Sequence, residues 1–206
     1  MSASCRSRAP LRLLVQGCIV LLIVPTLAGC HARETLNRGR EVREMGDQVD
    51  VVLVAKTGDR EITLTGTFAV PRRRLFDALT RPEHLEHWMN AGGMSLAEAH
   101  VDGRAGGSFR YVFRRPNGRT IEVHGAYSAF DSPCGVAYLE SYDFSPLRID
   151  VTTTLHETDG GARLTQNLRY VSTHERDEDF DGVSTSSREA FAKLARYLEE
   201  SRKPVR

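Results

Sequence analysis

"FAVPRRRLFDALTRPEHLEHWM", residues 68–89, sets two proline-started helical stretches in tandem and holds the chain's one tryptophan. Pro71 suits a first helical turn, where a missing N–H costs nothing and a fixed φ is already helical. Leu75, Phe76 and Leu79 then recur along one face, which predicts a short amphipathic helix. Pro82 restarts the chain as a second short helix carrying His84, His87 and Trp88. Two helices this short need a larger partner to bury their apolar faces.

The flanking sequence supplies that partner. Upstream, "VDVVLVAKTGDREITLTGTFAV", residues 49–70, reads as two β-branched runs about a Gly-Asp turn, either a hairpin or one long bent strand. Downstream, alternation with a period of two persists for about eighty residues. Phe109, Tyr111 and Phe113 point one way, "RPNGR" turns the chain, and Ile121, Val123 and Tyr127 continue the pattern. "DSPCG" and "TDGG" mark further turns between "VAYLESYDF", "LRIDVTTTLHE" and "ARLTQNLRYVS". The chain closes on "STSSREAFAKLARYLEES", residues 184–201, whose stripe of Phe191, Leu194, Ala195 and Leu198 predicts a helix. Ser186 and Glu189 form a capping-box pattern at its expected start. The order is strand, two short helices, a long antiparallel meander and a C-terminal helix, an α+β arrangement.

The N-terminus carries a different kind of information. Arg6, Arg8 and Arg12 precede the apolar run "LLVQGCIVLLIVPTLAG", the layout of a secretory signal and too short for a comfortable membrane span. "LAGC", residues 27–30, resembles the lipobox of bacterial lipoproteins, which implies cleavage before Cys30 and lipid on that cysteine. Residues 1–29 are then signal peptide, 30–46 a polar tether, and 47–202 the folded domain. His31 follows the cysteine where an inner-membrane retention signal would place aspartate, so the expected location is the bacterial envelope, at the outer membrane facing the periplasm. Cleavage also removes Cys5 and Cys18, leaving Cys134 without an internal disulfide partner. It removes three arginines and no acid, so the mature charge falls to about −2. That balance lacks the basic excess that nucleic-acid binding needs.

Five landmarks in order, residues 68–89, "VDGRAGGSFRYVF", "GAYSAFDSPCGVAYLESY", "GGARLTQNLRY" and the closing helix, resemble the START-like helix-grip superfamily, SRPBCC. Within it the likeness is to the branch related to the activator of heat-shock protein 90 ATPase. The resemblance implies a curved antiparallel sheet of six to seven strands wrapped around a long C-terminal helix, with two short helices near the N-terminal end covering one end of a cavity. It also implies that Trp88 packs toward that cavity.

A sheet with one apolar face needs a cover, and one helix cannot fill a strongly curved sheet, so an aromatic-lined void is expected. Its candidate walls are Trp88, Phe109, Tyr111, Phe113, Tyr127, Tyr138, Leu155, Leu164, Gln166, Leu168, Tyr170 and Phe191. Gln166 interrupts an apolar inward row, and a buried amide needs a partner.

Other motifs point to competing chemistries. His84 and His87 could share a metal, but no third ligand is local, and the plainer expectation is the exposed face of a lid helix. "VDGRAGG" lacks the lysine and hydroxyl of a phosphate loop and leads into a strand. "DEDFDG", residues 177–182, matches the start of a calcium loop through Asp177, Asp179 and Asp181, but Arg188 stands where the bidentate glutamate belongs. Its plain alternative is an acidic loop ahead of the last helix. Ser108, Ser128 and Cys134 lack the context of an activated nucleophile, while a tyrosine with Glu140 and His124 could serve a cyclase-type enzyme. The leading expectation is a membrane-anchored binder of a hydrophobic or amphipathic small molecule, without cofactor or metal. The alternatives are an envelope protein-interaction module and a cyclase or hydrolase using the cavity.

Overall fold

The computed structural model describes residues 49–90 and 93–201. The expected signal peptide, the tether and Cys30 lie outside the described residues. Strand β1 (Val49–Thr57) turns through Gly58 into β2 (Glu61–Phe68) as an antiparallel hairpin. Gly58 has φ 56°, a left-handed conformation that glycine adopts without steric cost. Helices α1 (Arg72–Thr80) and α2 (Pro82–Trp88) follow, with Pro71 at the cap of the first and Pro82 opening the second.

The meander then runs through β3 (Ser95–Val101), β4 (Ser108–Arg114), β5 (Thr120–Asp131), β6 (Gly135–Tyr142), β7 (Ser145–Thr158) and β8 (Gly161–Arg169). The strands form one antiparallel sheet ordered β1-β2-β8-β7-β6-β5-β4-β3. The sheet therefore has eight strands where six to seven were expected. The hairpin alternative holds at the N-terminal end, and β3 adds an edge strand whose Leu96, Ala99 and Val101 are only half-buried. Covered and open positions alternate along β2 and β7, as a sheet with one protected face requires. Bulges in β3 and β5 bend their strands.

Helix α3 (Thr173–Glu200) covers the sheet and begins well before the residues whose apolar stripe announced it. Its capping box is Ser172 with Glu175, not Ser186 with Glu189. The acidic stretch 177–182 is thus helix, neither calcium loop nor pre-helical loop. Residues two apart on a helix diverge by about 200°, so Asp177, Asp179 and Asp181 cannot converge on one ion. Asp179 is buried and accepts from Tyr170 Oη at 2.7 Å, whereas Asp177 is exposed and pairs with Lys56 at 2.7 Å. The Lys56 and Arg176 cations hold the Asp177 carboxyl below its usual range. The core runs from Ile62, Leu64 and Phe68 through Leu75 and Leu85 to Leu164, Leu168 and Leu194. At Gly66 a Cβ would come within 3.0 Å of the Phe191 ring, so the strand yields there to the helix. Among the described residues no helix is long and apolar enough to cross a membrane.

Candidate functional site

The sheet, α3 and the two short helices bound a cavity of about 90 Å³. That is several times the roughly 10–15 Å³ that one water requires. Helix α1 contributes Phe76, Leu79 and Thr80, and α2 with its following residue contributes Trp88 and Met89. Tyr111 and Phe113 come from β4, Val123 and Tyr127 from β5, and Gly135, Val136, Tyr138 and Glu140 from β6. Thr153 and Leu155 of β7, Leu164 and Gln166 of β8, and Ser187 and Phe191 of α3 complete the wall.

Several of these side chains are held by their own neighbours. The Trp88 indole N–H donates to the Ala78 carbonyl at 2.9 Å, which fixes the ring against α1. Thr80 Oγ1 donates to the Phe76 carbonyl at 2.8 Å. Burial pushes the Tyr127 hydroxyl up to about 12, opposed by a hydrogen bond with Tyr111. Gln166 Nε2 donates to Thr153 Oγ1 at 3.1 Å, which gives the half-buried amide a protein partner. Tyr142 Oη donates to Glu140 Oε1, and both residues are buried.

Of the expected walls, Trp88, Tyr111, Phe113, Tyr127, Tyr138, Leu155, Leu164, Gln166 and Phe191 line the cavity. Phe109, Leu168 and Tyr170 do not. Phe109 backs the wall, with its ring centroid 5.1 Å from Tyr111, 5.4 Å from Tyr127 and 5.0 Å from Tyr138. Leu168 is fully buried core, and Tyr170 is turned to Asp179 on α3. Glu140 was expected at the cavity only as an acid or base and Thr153 not at all, although "VAYLESY" sets Glu140 in phase with Tyr138 and Tyr142. His124 stands on β5 beside Gly125, the residue opposite Glu140, and so on the other face of the sheet. The acid–base pair of the enzyme alternative is not brought together.

The histidines of α2 are not free on a lid surface. His84 Nδ1 lies 2.5 Å from Tyr197 Oη on α3, and the exposed His87 ring stacks on Tyr197 at 5.2 Å. Burial raises the Tyr197 hydroxyl above its ordinary value, with Arg74 opposing and Glu83 and Glu86 adding to the rise. Lys193 Nζ donates to the Asn90 carbonyl, so α3 holds the end of the lid as well. No group of three or more metal-binding side chains occurs among the described residues. An open groove lies beside the cavity against β6 and β7, lined in part by Arg72, His156 and the exposed free thiol of Cys134.

The family model described as "Activator of Hsp90 ATPase homolog 1-like protein" matches residues 69–199. A crystal structure from Rhodobacter sphaeroides is 26% identical, with a TM-score of 0.70 over 73% of this chain and 99% of that one. A Nitrosomonas europaea protein at 20% identity superposes with a TM-score of 0.64, covering 69% and 96%. An AHSA1-like protein of Aeromonas hydrophila, 15% identical, gives 0.58 over 71% and 97%. The last two show the fold alone. No curated protein matches the chain significantly.

Proposed function

The chain belongs to the family of Activator of Hsp90 ATPase homolog 1-like proteins, and on that premise we propose that it holds a hydrophobic or amphipathic small molecule in the cavity while tethered at the bacterial envelope. The observation that carries the reading is the cavity itself, walled by aromatic rings with a few polar groups, the usual make-up of a small-molecule site. Apolar burial would supply the binding energy, at about 25 cal/mol per Å² removed from water, while Glu140, Thr153 and Gln166 orient the guest. Trp88 and Met89 close the end under α2, and the indole is already fixed by Ala78.

Solvent extraction of protein recovered from bacterial envelopes, followed by mass spectrometry, should release one stoichiometric apolar molecule. Trp88→Ala should reduce the amount released while the fold persists. An empty protein that also ignores the neutral probe N-phenyl-1-naphthylamine refutes the reading. The tether rests on residues 27–30, and labelled palmitate should enter the native chain but not Cys30→Ala. Release of the unlabelled variant into the soluble periplasmic fraction completes that test.

A further inference from the structure

The hairpin between β4 and β5 turns through "RRPNGRT", residues 114–120, which holds Arg114, Arg115 and Arg119. Its geometry is closely fixed. Arg115 N–H donates to the Arg119 carbonyl at 2.8 Å, Gly118 N–H to the Arg115 carbonyl at 2.9 Å, and Arg119 N–H to Asn117 Oδ1 at 3.1 Å. Arg115 and Arg119 therefore stand opposite each other, with Arg114 one position along and opposite Thr120. Like charges set opposite on paired strands destabilise them. The carboxylates nearest in register, Glu98 and Glu122, are taken by Arg110 at 2.9 and 2.7 Å. Asp143 Oδ1, from the β6–β7 turn, accepts from the Glu122 N–H at 3.0 Å. Other surface arginines are paired, Arg73 and Arg81 with Asp77 and Arg104 with Asp102. Among the described residues no carboxylate pairs with Arg114, Arg115 or Arg119, and the buried Nε of Arg115 meets no acceptor.

The tip also lies where the lid ends. Strand β3 starts at Ser95 opposite Arg114, so the link from α2 arrives beside the tip, and a Cβ at Gly93 would lie 3.5 Å from Pro116. Val49, where the described chain starts, pairs with Phe68 beside the β7–β8 turn, at the opposite end of the sheet. Resting on the tether reading, we propose that the β4–β5 tip docks the domain on an anionic phospholipid surface, lid end down. The stretch from Cys30 to Val49 extends to at most about 65 Å, more than the roughly 45 Å length of β7, so the tether permits this contact without imposing it. Guanidinium groups fork onto phosphate oxygens, and three arginines near a negatively charged bilayer together favour contact on the order of a hundredfold. A bilayer fits because the charges project from a turn and do not line a concave surface, and a tethered chain is never far from one. Docking sets the Met89 end of the cavity against the source of an apolar guest.

Energy transfer from a dye near the tip to a labelled lipid tests this. Protein recovered from bacterial envelopes, carrying Cys134→Ser and a donor dye on Thr120→Cys, is reconstituted on vesicles of phosphatidylcholine, alone or with roughly 30% phosphatidylglycerol. The tether is the same on both, so a difference belongs to the domain. On the anionic vesicles the ratio of docked to free tips should rise on the order of a hundredfold, and about 0.5 M sodium chloride should abolish the rise. A dye on Asp159→Cys, in the β7–β8 turn at the far end, should show no such rise. Arg114→Gln, Arg115→Gln and Arg119→Gln together should remove the response of the tip dye. Equal transfer on both lipids overturns the proposal and points to an acidic protein surface instead. A rise that persists in the triple variant, or that the far dye shares, overturns it too. If that variant does not fold, the native contrast between lipids and between dye positions decides. Retention on the neutral vesicles reads the tether separately: protein that washes off them refutes the tether, and its sedimentation with the anionic vesicles then decides for the tip.

Discussion

The two halves of α3 are buried by different chemistry. From Ala190 to Leu198 the covered face is hydrocarbon, with Ala190, Phe191, Leu194 and Leu198 at helical spacing. From Thr173 to Ser187 the covered positions include Arg176, Asp179, Ser186 and Ser187, with Gly182 and Val183 among them. The polar half lies over the N-terminal hairpin and is joined to its neighbours by directed bonds. Lys56 reaches Asp177 and also lies 4.9 Å above the Phe180 ring, while Thr173 Oγ1 donates to the Asp59 carbonyl at 2.9 Å. Arg60 donates to the Val171 carbonyl just ahead of the helix at 2.8 Å. Apolar contact holds a helix down without fixing its rotation or slide, whereas hydrogen bonds of this kind are satisfied in one position. The C-terminal half thus anchors α3 to the core, with bonds from Tyr197 and Lys193 to the lid, and the N-terminal half fixes its position over the hairpin.

Substitutions can break that division. The largest effect is expected in the apolar half, where Leu194→Ala leaves a void at a fully buried position and should cost about 3 kcal/mol in urea unfolding. In the polar half, Asp179→Ala removes the buried carboxylate that accepts from Tyr170 Oη and should cost about 2 kcal/mol. Adding Tyr170→Phe should restore part of that loss, and simple additivity in the double-mutant cycle would show that the two groups do not interact. Ser172→Ala removes the capping side chain and should cost about 1 kcal/mol, measurable as a lower urea midpoint.

The smallest effect is on acid sensitivity. Asp177 is held below its ordinary value of 3.8, so its contribution is complete above that pH and disappears as pH falls through the lower folded value. Unfolding midpoints taken from pH 5 to pH 2 should therefore decline a little less steeply in Asp177→Asn than in the native chain. Identical slopes would mean that the Lys56 pair does not persist in solution.

The same contrast explains what could be read beforehand. The short helices were legible because proline and a repeating apolar face mark them, and the tyrosines because alternation is strict. The first half of α3 was not, since a periodicity search looks for apolar residues and the buried face there is polar. Gly182 and three aspartates imitate a loop for the same reason. Strand β3 was missed because an edge strand that is half open to water has no clean alternation. At the cavity, phase alone would have set Glu140 inward and His124 outward. Residue type drew attention to both as acid and base, and phase was not used to separate them.

The strand order also constrains how the molecule is assembled. Every neighbouring pair in the sheet is adjacent in sequence except β2 and β8, whose pairing joins the N-terminal hairpin to the far end of the meander. Roughly ninety residues separate Phe68 from Gly161, so closing that pairing costs on the order of 4 kcal/mol of chain entropy before any contact repays it. The meander can grow hairpin by hairpin, but β2 has its second neighbour only once β8 exists. A chain synthesised or exported from its N-terminus must therefore keep the hairpin and both short helices waiting, with their apolar faces uncovered, until its last third arrives.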